Sequence, residues 1–337
     1  MVTSIFNLLT FTMLIIWFYL FMIKSWFDER KSCPACTSEK ITIRYQILYS
    51  DQLIKKYLVD FYSPQGGVEF EYLKDEEYIL CDCGSCGMIF QKNIPNSALM
   101  ERLYEHWIDP IKAFENHKLK KKRDLYAYYA KEIMTIGSCF KTNPSDLRFL
   151  DFGMGWGDWL LMANGFGYES FGLELSKNRI EYAKSRGIKV IGWEEAEKLC
   201  FDFINNEQVF EHIPEPLETL KKLKTLLKPG GLIKISVPTA NDIDRRLNRM
   251  DWESKKGSRN SLNHVAPLEH IQYFKRSSLI RMAEMAGMTE ITIPLNRQWN
   301  NSFGWFHPKS FVRNALIPLY RNVLKKQNYV FLTSKMN

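Results

Sequence analysis

An aspartate and three glycines at alternate positions, Asp151, Gly153, Gly155 and Gly157, sit at the end of the apolar run 149–152. Glycines so placed let backbone approach a ligand closely, and a helix-like segment follows them. Twenty-one residues after Gly153, a second short apolar run, 170–173, ends in Glu174. A carboxylate there can accept hydrogen bonds from two ribose hydroxyls, so the layout is that of a nucleotide-binding βαβ unit. Two further residues suit proton transfer. His212 and His270 each follow a glutamate, and a neutral imidazole takes a proton near pH 7. The competing role for each is to order its own loop, and His264 is a weaker third candidate. Finally, Cys33 with Cys36 and Cys83 with Cys86 form two C-x2-C pairs, each tight enough to grip one metal ion. Together they can complete a tetrahedral four-thiolate zinc site, with Cys81 as an alternative ligand to Cys83. Disulfides are the other option and need an oxidising compartment.

The spacing D-x-G-x-G-x-G resembles the first motif of class I S-adenosylmethionine-dependent methyltransferases. Glu211-His212-Ile213-Pro214-Glu215-Pro216, Lys228-Pro229-Gly230-Gly231 and Glu269-His270-Ile271-Gln272-Tyr273-Phe274 are similar to marks of that superfamily's small-molecule branch. The likeness runs over roughly residues 147–293 and the last strand. It implies an α/β fold with a Rossmann-like seven-stranded methyltransferase sheet, and S-adenosylmethionine as cofactor. By the same resemblance Asp151, Gly153, Gly155, Gly157 and Glu174 hold the cofactor, and Asn206 and Glu207 line the methyl-transfer pocket. Glu195 or Glu197 is left for the adenine. No N-P-P-[FY] follows the fourth strand, which disfavours exocyclic-amine methylation, and no Pro-Cys pair supports a covalent cytosine route. Oxygen or carbon of a small, lipid-linked or glycan-like acceptor remains.

These groups must be positioned by a longer chain. Residues 5–23 are apolar apart from Asn7, Thr10 and Thr12, and nineteen residues at ~1.5 Å rise approach the ~30 Å hydrocarbon core. The absence of a basic start and of a small-residue cleavage site favours a single transmembrane helix over a signal peptide. Lys24, Arg30 and Lys31 beyond it place the remainder in the cytosol. The expected order is an anchor to residue 27, a zinc-ribbon-like domain over 28–95, a helical connector over 96–140 and the methyltransferase domain over 141–337. Within the ribbon, residues 41–49, 58–62 and 68–72 read as strands. Residues 241–267 read as a long substrate loop. Strands alternate with helices from 148 to 237, and an antiparallel pair at 291–294 and 329–332 closes the sheet.

The formal charge is +8, but the seven Lys and Arg from Arg297 onward, with no acid among them, leave about +1 for the body. A near-neutral body argues against nucleic acid as partner. The basic, aromatic tail suits an anionic lipid surface as well as a solvated helix. The rival function is an anchored zinc-ribbon binding protein whose methyltransferase fold is degenerate, supported by the short segment 192–200.

Overall fold

The computed structural model describes residues 25–64, 66–119, 122–302, 308–324 and 327–335. The expected transmembrane segment, residues 5–23, lies outside them. No described helix is long and apolar enough to cross a membrane.

The N-terminal part is built from β1 (Phe27–Glu29), β2 (Ile41–Leu48), β3 (Glu77–Cys83), β4 (Ile89–Gln91) and β5 (Asn93–Pro95). Two of its expected strands are not strands. Residues 58–62 form the end of a helix, Gln52–Tyr62, begun by the Asp51 carboxylate accepting from the Leu53 N–H at 2.8 Å. Its buried residues Ile54, Tyr57, Leu58 and Tyr62 follow helical spacing, and that period outweighs the β preference of the aromatics. Residues 68–72 pass into a single 3-10 turn, Phe70–Leu73. The connector is helical as expected, through Ser97–Arg102, Pro110–Leu119 and Lys122–Gly137.

The large sheet comprises β6 (Arg148–Phe152), β7 (Glu169–Leu173), β8 (Lys189–Val190), β9 (Phe201–Asn205) and β10 (Leu227–Ser236). A short strand outside it, β11 (Gln272–Tyr273), comes next, and β12 (Met288–Ile291) and β13 (Tyr329–Ser334) complete the seven. The order is β12-β13-β10-β9-β6-β7-β8, with β13 antiparallel to both its neighbours and the other pairings parallel. Phe149 and Leu150 are wholly buried because helices cover both faces of the parallel strands. Helix Pro216–Thr225 starts on a proline at its first position and turns Leu217, Leu220 and Leu223 inward. From β6 the chain builds outward through β7 and β8, then returns to β9 on the other side. The crevice beyond the carboxyl ends of β6 and β9 is therefore the switch point where such sheets bind ligands.

The N-terminal sheet is completed from the other end of the chain. Its order is β11-β4-β3-β2, so a strand from residues 272–273 pairs with β4. Arg30 reinforces this seam, its guanidinium donating to the carbonyls of Ile271 and Pro214 and to Gln272 Oε1. One continuous apolar cluster holds Cys33, Cys36, Cys83 and Cys86 together with Phe152 and Ile204 of the large sheet and Leu217 of helix Pro216–Thr225. Residues 241–267 contain a helix, Ile243–Arg249, and dock on β2, β3 and helix Gln52–Tyr62. Trp252 packs on Tyr45, Tyr57 and Tyr78 and donates to the Tyr45 hydroxyl at 2.9 Å, while the Tyr78 hydroxyl donates to the Val265 carbonyl at 2.6 Å.

Candidate active site

Gly153, Gly155 and Gly157 all have positive φ, of 73°, 55° and 78°. A side chain is excluded at Gly153 for a second reason, since its Cβ would stand 2.4 Å from Val209 Cγ2. The turn they make delivers the chain into helix Asp158–Gly165. Glu174, at the tip of β7, is tied to this turn. Its Oε2 accepts from the Gly155 N–H at 2.9 Å, and its Oε1 from the N–H groups of Leu175 and Ser176 at 2.8 and 3.0 Å. Arg179 stands 3.7 Å from Oε2. The carboxylate lines a cleft of about 1650 Å³ with Gly153, Trp156, Leu175 and Trp193. The cleft lies at the switch point, open and flanked by the acid and the glycine turn.

Three expected cofactor residues stand elsewhere. Asp151 is buried beneath the cleft, accepting from Asn205 Nδ2 at 2.7 Å, and burial raises its carboxyl to about 7. Asn206 is wholly buried, and Glu207 turns away to meet Lys234 at 2.7 Å. Gln208 and Val209 line the cleft in their place, because Gln208 takes a φ of 56° and reverses which side chains face the opening. Trp193, not Glu195 or Glu197, reaches the cleft from the segment after β8.

At the other end, His212 and His270 meet, with ring centroids 4.8 Å apart and planes at 70°. His212 Nδ1 is 2.9 Å from the Glu269 carbonyl, with the Tyr104 hydroxyl at 3.3 Å, and His270 Nδ1 contacts the Asn263 carbonyl. A carbonyl only accepts, so each Nδ1 carries the proton and each Nε2 keeps its lone pair. Burial holds both rings neutral, lowering His212 to about 4 and His270, also beside His212, to about 3. Glu211 and Glu269 are pushed the other way by burial, to about 8 and about 7. Leu268, just before this pair, has a φ of 73°, a costly conformation for a branched residue. Tyr57, Phe61 and Trp252 wall this end, so helix Gln52–Tyr62 and residues 241–267 frame it.

The sulfurs of Cys33, Cys36, Cys83 and Cys86 all lie within 4.8 Å of one another, with Cys33–Cys86 at 3.6 Å and Cys36–Cys83 at 3.5 Å. Zn–S bonds of about 2.3 Å in a tetrahedron require sulfurs about 3.8 Å apart, which these satisfy, whereas a disulfide needs about 2.05 Å. Cys81 is buried on β3 and stands outside the group.

One constellation escaped sequence reasoning. Lys234, wholly buried in β10, bonds both oxygens of Glu132 at 2.9 Å as well as Glu207. Glu132 also accepts from Trp159 Nε1 and from the hydroxyls of Tyr128 and Tyr329. The signal was present as a lysine inside the apolar strand 232–237. Its partner Glu132 belongs to a helix distant in sequence.

Residues 120–292 match a family described as a methyltransferase domain. No curated protein matches the chain. Among solved structures, the plantazolicin methyltransferase BpumL in complex with SAH is 17% identical, aligning over 71% of this chain and 95% of its own with a TM-score of 0.46. PKMT2 from Rickettsia typhi in complex with AdoHcy is 18% identical, over 62% of this chain and 53% of its own, with a TM-score of 0.40. The matched segment spans just over half of the 337 residues, and the chain belongs to this methyltransferase-domain family.

Proposed function

We propose that this protein transfers a methyl group from S-adenosylmethionine to a small-molecule or peptide acceptor bound in the cleft. The observation that carries the reading is the single open cleft joining Glu174 and the glycine turn at one end to His212 and His270 at the other. Glu174 would hold a ribose hydroxyl through its remaining acceptor position, the turn at Gly153–Gly157 the amino-acid end, and Trp193 would be a wall for the base. When bound, the cofactor supplies a methyl made electrophilic by its sulfonium. The chain's task is then alignment, worth ~7–11 kcal/mol when reacting atoms are well placed. Tyr57, Phe61 and Trp252 exclude water from the acceptor end. The Nε2 lone pairs of His212 and His270 face the acceptor and can orient its reacting group, while burial keeps both rings neutral.

The finer reading is an oxygen or carbon acceptor on a sugar-like or lipid-linked molecule at the cytosolic membrane face. It is supported by the apolar run 5–23 and by helix Pro308–Asn322, whose Phe311, Val312 and Leu316 are exposed beside Arg313. We assign a structural zinc to Cys33, Cys36, Cys83 and Cys86, supported by their sulfur spacing. Calorimetry tests the central claim: S-adenosylhomocysteine should bind the wild-type chain and bind Glu174→Ala roughly 10- to 100-fold more weakly, as expected for lost charge-assisted hydrogen bonds. Equal affinity for both proteins would refute it.

A further inference from the structure

We propose that Glu211, His212 and His270 form a second metal site, at the acceptor end of the cleft, that takes a divalent transition-metal ion and presents it to an oxygen of the acceptor. This deepens the methyltransferase reading and rests on it for the identity of the acceptor end.

The donor atoms are already assembled. One oxygen of Glu211 and one nitrogen from each imidazole lie within 4.8 Å of one another. Both imidazoles donate their Nδ1 proton to backbone carbonyls, of Glu269 and Asn263. That outer contact fixes the tautomer and leaves Nε2 as ligand, the arrangement metal-bound histidines almost always show. Glu211 supplies the independent observation. Its side chain is 1% exposed, yet neither carboxylate oxygen accepts a hydrogen bond from another described residue. The near approach of His212 Nε2 stops at 3.9 Å, too long for a hydrogen bond and suited to two ligands flanking a common ion.

A carboxyl buried without a donor costs free energy that a cation at this point removes. Two imidazoles and one carboxylate select mid-row divalent ions rather than calcium or magnesium, and three protein ligands leave coordination positions open. His212 and His270 line the cleft while Glu211 lies behind them, so the open positions face the acceptor. An ion held there binds and polarises an acceptor hydroxyl or carbonyl oxygen. This differs from the cysteine cluster, which is buried and closed by four sulfurs.

The test is titration of the full-length protein with Mn2+, which competes poorly for thiolates, followed by electron paramagnetic resonance. S-adenosylhomocysteine affinity is measured in parallel. Wild type should bind one Mn2+, and His270→Gln and Glu211→Gln should each weaken it by about 100-fold or more, beyond the 10- to 100-fold of an outer-contact change. S-adenosylhomocysteine binding should be unchanged in both. If Glu211→Gln does not fold, His270→Gln decides alone. Absent Mn2+ binding, or equal binding in wild type and variants, overturns the site even where the demethylated cofactor binds normally. Loss of S-adenosylhomocysteine binding by wild type would strike the methyltransferase reading instead.

Discussion

Glu174 spends three of its acceptor positions on backbone N–H groups from two different turns. A carboxylate has about four such positions, so one remains free and the others hold it aimed at the cleft. Glu174→Gln replaces one acceptor oxygen by a donor that faces an N–H. It should therefore lower S-adenosylhomocysteine affinity almost as far as Glu174→Ala, which calorimetry will show. Asp151 behaves differently. Its folded carboxyl lies near 7, above the ~3.9 of an unfolded chain, so the protonated form stabilises the fold. That contribution is complete below about pH 4 and disappears as pH rises through 7. Melting profiles between pH 4 and 8 should fall less steeply for Asp151→Asn than for wild type. The acid, the glycines and the two histidines were legible because their chemistry is written in residue type and spacing. That Asn206 and Glu207 turn away from the cleft was not legible, because a positive φ at Gln208 is invisible in a residue that rarely adopts it.

At the level of elements, the strands of the large sheet were readable as apolar runs between turn signals, and the antiparallel closing pair was placed nearly correctly. Residues 58–62 read as a strand rather than as the end of helix Gln52–Tyr62 because two competing cues, aromatic content and period, overlap there. Lys234 and Glu132 join helix Lys122–Gly137 to the middle of β10. Lys234→Ala strands a buried carboxylate and should destabilise the protein by ~3–5 kcal/mol in urea unfolding. Lys234→Met combined with Glu132→Gln should recover part of that loss, since no uncompensated charge is left on Glu132. Equal stability of wild type and Lys234→Ala would show that the network contributes nothing.

For the whole molecule, the pairing of β4 with β11 and the shared core around the cysteines make the N-terminal sheet part of the methyltransferase body. Such contacts between residues far apart in sequence carry no local signature, so the sequence suggested a separate ribbon. Removing the zinc proposed for the cysteine cluster should accordingly lower the melting temperature of the entire chain in one transition. Differential scanning calorimetry with and without a strong chelator checks this. Two separated transitions, with only the smaller one shifted, would contradict the coupling.

Helix Gln52–Tyr62 and the Trp252 segment wall one end of the cleft, while the glycine turn and Glu174 shape the other. Recognition of what is modified and capture of what donates are thus written in different stretches of chain. Exchanging residues 52–62 for those of another protein would redirect the enzyme toward new molecules while its appetite for the donor stayed intact, a modular route to divergence.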